Sequence, residues 1–195
     1  MFSGIAGIAA ADTIALNAAK SAYGSDGGMN ADPYLDGTYN YVYSGSHFYV
    51  VHQTYSNPYK DSDQRSAVDF FLPAALLQPN VVINSATLSF LSASESVSSP
   101  NTLTIHGILS TSAPFVGTDL EVNNPVLTVP LTAQPWPYAA RTFEVKSWVQ
   151  NRRNGGYDRA AFMFAAGNVW GIFFAINSNA TLTIDWSIAV GALPS

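Results

Sequence analysis

Residues 83–92, INSATLSFLS, and residues 180–186, ATLTIDW, decide the fold class. In the first, Ala86, Leu88 and Phe90 alternate with Thr87 and Ser89; in the second, Leu182, Ile184 and Trp186 alternate with polar residues. A period of two sends successive side chains to opposite faces of an extended chain, so both stretches read as half-buried strands. Leu88, Phe90, Leu182, Ile184 and Trp186 are expected to face a core.

Outward from these two, the same alternation recurs at short intervals. Strands are expected in TYNYVYS (38–44), SHFYVVHQTY (46–55), SAVDFFL (66–72), NTLTIHGIL (101–109) and NPVLTVPL (124–131). They are also expected in RTFEVKSWV (141–149), AAFMFAA (160–166), WGIFFAI (170–176) and onward to residue 190. Prolines 73, 79, 100, 114, 125, 130, 135 and 137 fall mostly between these runs, where a missing N–H interrupts no ladder. The stretch SWVQNRRNGGYD predicts a helical turn after Val145, ended by Gly155 and Gly156. Many short strands with turn signals between them predict an all-β fold, an antiparallel β-sandwich of jelly-roll type.

The composition agrees. The chain has 195 residues, 48% hydrophobic and 13% aromatic, ample for one core. Only 11% are charged, against about 25% in an ordinary soluble protein, so the surface is unusually neutral. Such a surface is expected to be shared with further copies of the chain or with other proteins. A net charge of −5 argues against a nucleic-acid groove, because only Arg152 and Arg153 adjoin. The absence of cysteine removes disulfides, thiolate nucleophiles and Cys-ligated zinc.

Residues 1–36 read as an N-terminal arm and linker, and residues 37–195 as the sandwich domain. The first 22 residues form a short helix or an extended arm, with Ile5, Ile8, Ile14 and Leu16 as its assembly contacts. They are too few and too weakly amphipathic to fold alone. GSDGGMNADPYLDG (24–37) is glycine- and aspartate-rich, as a linker requires. Deleting residues 1–36 is therefore expected to leave the sandwich folded and to abolish assembly. The opening stretch has no Lys or Arg before Lys20 and is interrupted by Gly4 and Gly7, so no signal peptide is expected. No window approaches the roughly 20 apolar residues of a membrane-spanning helix, and no membrane partner is expected.

Catalytic constellations are not expected. Glycoside hydrolysis needs two carboxylates a few ångströms apart, one of them protonated, and Glu95, Glu121 and Glu144 lie in separate segments. GxSxG is absent, which removes one serine–histidine arrangement. His47, His52 and His106 match no metal-ligand spacing. Asp26, Asn30, Asp32 and Asp36 could wrap calcium, yet the loop lacks the EF-hand register and reads as a polar linker. No metal or other cofactor is expected.

The tyrosines are the outstanding feature. Tyr34, Tyr39, Tyr41, Tyr43, Tyr49, Tyr55 and Tyr59 fall close together, and Tyr39, Tyr41 and Tyr43 are expected on one face of a strand. Tyrosine offers a flat apolar ring and a hydroxyl, which suits a protein interface or a sugar ring. Tyr39, Tyr41, Tyr43, Tyr49, Tyr55, Trp136 and Tyr138 are the candidate interface or glycan-stacking residues.

YVYSG (41–45), SAVDFFLPAALL (66–77), INSATLSF (83–90) and TFEVKSWVQ (142–150) followed by RNGG resemble, in order, the segments of DNRLRE-type modules. Arg65 stands where that family carries an arginine before its third strand, while an Asn–Trp pair often seen mid-module is missing between His106 and Pro130. The resemblance implies a carbohydrate-binding-like β-sandwich of extracellular and surface proteins. A free-standing module with an Ala-rich arm points to a phage virion component: a decoration, fibre or tail-associated protein. Its expected partners are other virion proteins and its own copies. The alternative is an extracellular module that recognises a surface glycan.

Overall fold

The computed structural model describes residues 11–27, 36–44, 47–53, 62–94, 102–111, 113–130, 134–167, 174–177 and 180–189. They form twelve strands: β1 (Asp12–Asn17), β2 (Lys20–Gly27), β3 (Tyr41–Tyr43), β4 (His47–Gln53), β5 (Ser62–Phe71), β6 (Val81–Ser94), β7 (Thr102–Ile108), β8 (Pro125–Pro130), β9 (Gln134–Glu144), β10 (Arg159–Gly167), β11 (Phe174–Asn177) and β12 (Thr181–Ile188). Two helices, α1 (Gly117–Leu120) and α2 (Lys146–Asn154), and a 3-10 turn at Ala74–Leu77 complete the described elements.

Every described pairing is antiparallel. One sheet runs β1-β12-β6-β9, with β11 beside the far end of β6. The other runs β3-β2-β5-β10-β7-β8. Strand β4 joins them, pairing with β11 through its first half and with β5 through Val51–Gln53. The two sheets pack face to face, so the fold is an all-β sandwich.

The main core lies between the sheets. Leu88, Phe90, Leu182 and Ile184 meet Val68, Phe70, Phe162 and Phe164 there. Phe90 spans the interface: its ring meets Phe164 edge-on at 5.2 Å and stacks on Phe143 at 5.3 Å. The expected burial of Leu88, Phe90, Leu182 and Ile184 holds. Trp186 is instead only partly buried. A bulge at Asn84, where the register shifts between Asp185 and Trp186, changes the phase of β6, so that Trp186 pairs with the inward Ile83 and packs at the margin of the core, while Ser187, opposite the exposed Val82, donates its hydroxyl to Asn84 Oδ1 at 3.2 Å.

The described part of the N-terminal segment is not an arm. Residues 12–17 pair along β12, and residues 20–27 pair along the length of β5 from Ser62 to Asp69. Ile14 and Leu16 pack against the main core, while Ile5 and Ile8 lie outside the described residues. Asp185 explains the docking of β1: its carboxylate accepts Thr13 Oγ1–H at 2.7 Å and Ser85 Oγ–H at 2.6 Å, tying three strands together. These hydroxyls hold Asp185 below the usual carboxylate range. Residues 24–27, expected in the linker, are strand too, so the boundary placed at residue 37 cuts through the second sheet.

Two further expectations shift and one, the helical turn after Val145, holds. RTFEVKSWV is two elements, because β9 ends at Glu144 and Trp148 and Val149 belong to α2. The predicted helical turn is α2 itself; it closes with Gly155 N–H donating to Asn151 O, and Gly156 takes φ 72°, a conformation glycine adopts without strain. Pro125 and Pro130 bound β8, an edge strand of the described sheet, but Pro135 and Pro137 sit inside β9.

Candidate functional site

The inner face of the second sheet serves the main core, and its outer face is covered too. Strand β10 shows both: Ala160, Phe162 and Phe164 face inward, while Ala161, Met163 and Ala165 build a second cluster with Ala22, Ala67, Ile108, Tyr39, Phe115 and Leu120. Small residues on the strands let the covering segments, residues 36–40 and 113–122, lie close. A Cβ on Gly24 would collide with Leu120, and one on Gly117 with the Tyr39 carbonyl.

Charged groups on this outer face pin the cover down. Asp63, Arg65 and Asp69 alternate along β5 on one side. Asp69 is fully buried and is held by Arg159, with Lys20 Nζ at 3.9 Å. Burial pushes its carboxyl up, against the opposing pull of Arg159 and Lys20. Lys20 also donates to Thr111 O at 2.9 Å and to Ala113 O, and its ammonium lies over the Phe115 ring at 4.3 Å. Burial lowers the Lys20 pKa while Asp69 raises it. Arg65 donates to Leu120 O at 2.8 Å and to Asp63 Oδ2 at 3.2 Å.

Tyr39, a candidate contact residue, belongs to this machinery instead. Its ring is 3% exposed, lies against the Arg65 guanidinium at 5.0 Å, and its hydroxyl donates to Asp63 Oδ2 at 2.7 Å. Burial and the Asp63 carboxylate push that hydroxyl far above the ordinary tyrosine range. It precedes β3, so it does not share a strand face with Tyr41 and Tyr43.

Those two do share a face, and Tyr23 joins them. Tyr23 stands opposite Tyr43 across β2 and β3, with ring centroids 5.2 Å apart, and Tyr41 stacks beside Tyr43 at 6.5 Å. Tyr23 packs on the main core, whereas Tyr43 is 40% exposed, so the ladder carries the core's aromatic packing outward across a sheet edge. Among the described residues β3 pairs only with β2. Tyr23 lay inside the segment read as an arm, which is why the tyrosine spacing missed it. Tyr49 in β4 and Trp136 and Tyr138 in β9 are placed by backbone alone, and the positions of their side chains lie outside the described residues. Tyr34, Tyr55 and Tyr59 lie outside as well.

Cavities flank the covered face, and two of them hold polar side chains of interest. One, of about 480 Å³, is lined by Arg65, Thr104, His106, Glu121 and Thr128 among others. His106 is buried, and its Nδ1 accepts the Asn124 N–H at 3.2 Å. The other, of about 500 Å³, is bounded by Trp148, Asn151, Arg152, Tyr157, Asn124 and Asp119. There the Arg152 guanidinium lies over the Tyr157 ring at 3.8 Å, fixing an aromatic plane that is 51% exposed.

The described carboxylates are largely committed to structure. Asp26 accepts the Asp36 and Gly37 N–H groups, Asp119 accepts Val116 N–H, Glu121 accepts Tyr39 N–H, and Glu144 accepts Ala86 and Lys146 N–H. Asp26 and Asp36 thus organise a turn; Asn30 and Asp32 lie outside the described residues. No group of three His, Asp or Glu able to hold a metal occurs among the described residues. No described helix is long and apolar enough to cross a membrane. No protein-family model matches the chain, and no curated protein matches it in sequence.

Proposed function

We propose that this chain is a non-enzymatic structural protein of a virus particle and that it works by assembling with its own copies and with neighbouring proteins. The tyrosine ladder carries the reading: an aromatic stack continuous with the core, leading out to a three-residue strand that among the described residues is an edge. Aromatic side chains concentrate at protein interfaces because they bury a large area at small entropic cost. The scarcity of charge favours shared surface over solvated surface. The engagement of carboxylates with backbone N–H groups and cations supports a scaffold over acid–base catalysis, which needs a carboxyl poised toward a substrate.

Mass spectrometry of particles purified from the host whose genome carries the gene tests this. Recovery at a fixed stoichiometry to the major coat protein is expected; absence from intact particles rejects the reading.

A second reading, recognition of a glycan, is favoured by the exposed Tyr157 plane beside Asn124, Asn151 and Asp119, since an aromatic plane with planar polar neighbours suits a sugar ring. A glycan array separates the two readings.

A further inference from the structure

We propose that His106 is an acid-sensitive latch: its protonation releases the segment 120–125 and uncovers the outer face of the second sheet. Asn124 lies against β7 where the pairing with β8 shifts register between Ile105 and His106. Three hydrogen bonds hold it there. Gly107 N–H donates to Asn124 O at 2.9 Å, Asn124 Nδ2 donates to Gly107 O at 3.0 Å, and Asn124 N–H donates to His106 Nδ1 at 3.2 Å.

The third bond differs in kind from the other two. A backbone N–H can only donate, so the bond exists only while Nδ1 carries no proton. Protonation turns the acceptor into a donor aimed at a donor, and it puts a charge on a largely buried ring. The segment it holds is the one that closes the outer cluster. Leu120 is fully buried on Gly24 and its carbonyl is bound by Arg65, while Glu121 accepts Tyr39 N–H.

The surroundings set the sign. Arg65, from β5, faces the ring and opposes a second positive charge; Glu121 lines the same cavity; Asp63 sits behind Arg65 and is paired with it. From β10 the directly opposed residue is Met163, and from β8 it is Pro125, neither of which titrates. Burial, then Arg65, lowers the His106 pKa from the usual 6.5. A depressed histidine pKa means that the open state binds the proton first. The latch is therefore closed above the ordinary histidine pKa and weakens as pH falls through it.

Hydrogen exchange on the full chain tests this, comparing about pH 7.5 with about pH 5 after correction for intrinsic rates. Protection of residues 120–124 is expected to fall by a larger factor than that of β10, because only the first depends on an acceptor that protonation of His106 removes. His106→Asn keeps an acceptor near the Nδ1 position and cannot titrate, so its protection should not respond to pH in this way. Equal protection of wild type at both pH values, or an unchanged acid response in His106→Asn, overturns the latch; the second result would assign the response to another group, such as His47 or His52. Should His106→Asn fail to fold, the NMR titration of His106 decides. A midpoint below the ordinary value that coincides with the loosening supports the latch, and a midpoint at or above it overturns it.

Discussion

Replacing Phe164 by alanine strikes the point where the two sheets interlock. Phe164 is fully buried, sits inward on β10, and meets the Phe90 ring edge-on at 5.2 Å from the opposite sheet. Phe90 in turn stacks on Phe143 at 5.3 Å, so removing one ring unsupports a chain of three. A buried Phe→Ala change costs about 3–5 kcal/mol, through lost transfer energy and a residual cavity. The upper half of that range is expected, because hydrogen-bonded strands on both sides of the gap resist collapse into it. For a domain of this size each kcal/mol lowers Tm by about 2–4 °C, which gives a fall of roughly 8–20 °C. Thermal unfolding followed by circular dichroism measures it, with Leu109→Ala as the control; Leu109 is 68% exposed and its loss should change stability by no more than about 0.5 kcal/mol. A Phe164→Ala protein that loses less than about 1 kcal/mol would refute the face-to-face packing of the two sheets at this point.

Two other perturbations test particular contacts. Deleting residues 1–27 removes β1 and β2 and bares the edge of β5, so the remainder should lose its cooperative melting transition; a truncated chain that melts like the full one would restore the arm reading. Gly107→Ala would drive a Cβ into the Trp148 ring, whose Nε1–H donates to Ala161 O at 3.0 Å, and should cost about 1–3 kcal/mol in urea unfolding with a change in tryptophan emission.

The fold class was legible wherever a strand has one apolar and one polar face. INSATLSF and ATLTIDW alternate cleanly, and their inward residues are the ones expected up to the bulge at Asn84. A bulge leaves no mark on composition, which is why the inward turn of Ile83 was not legible; Trp186 keeps the inward phase but is only partly covered. Strands β1 and β2 were hidden for a different reason. KSAYGSDG is short of large apolar residues because β2 lies under a cover that needs glycine and alanine, and Gly24 is the position where Leu120 sits, while DTIALN offers only Ile14 and Leu16 as its apolar face. Local reading therefore saw a linker where tertiary contact makes a strand. The same blindness applies to the site. Tyr41 and Tyr43 were visible from spacing, Tyr23 is brought to them only by the β2–β3 pairing, and Tyr39 is withdrawn by a hydroxyl bond to Asp63, a residue 24 positions away. The Asp–Arg–Tyr arrangement has no sequence signature, since Tyr39 lies outside β5, the strand that carries both Asp63 and Arg65.

Sedimentation velocity of the wild-type chain beside the Tyr41→Ser/Tyr43→Ser double variant, across a range of concentrations, tests assembly through the ladder most directly. Both side chains lie on a strand that is an edge among the described residues, and Tyr43 is 40% exposed, so the variant should keep its fold and near-wild-type melting. The wild type is predicted to sediment as a concentration-dependent oligomer and the variant as a monomer. Two monomers, or a variant that assembles as fully as the wild type, would contradict assembly through the tyrosine ladder.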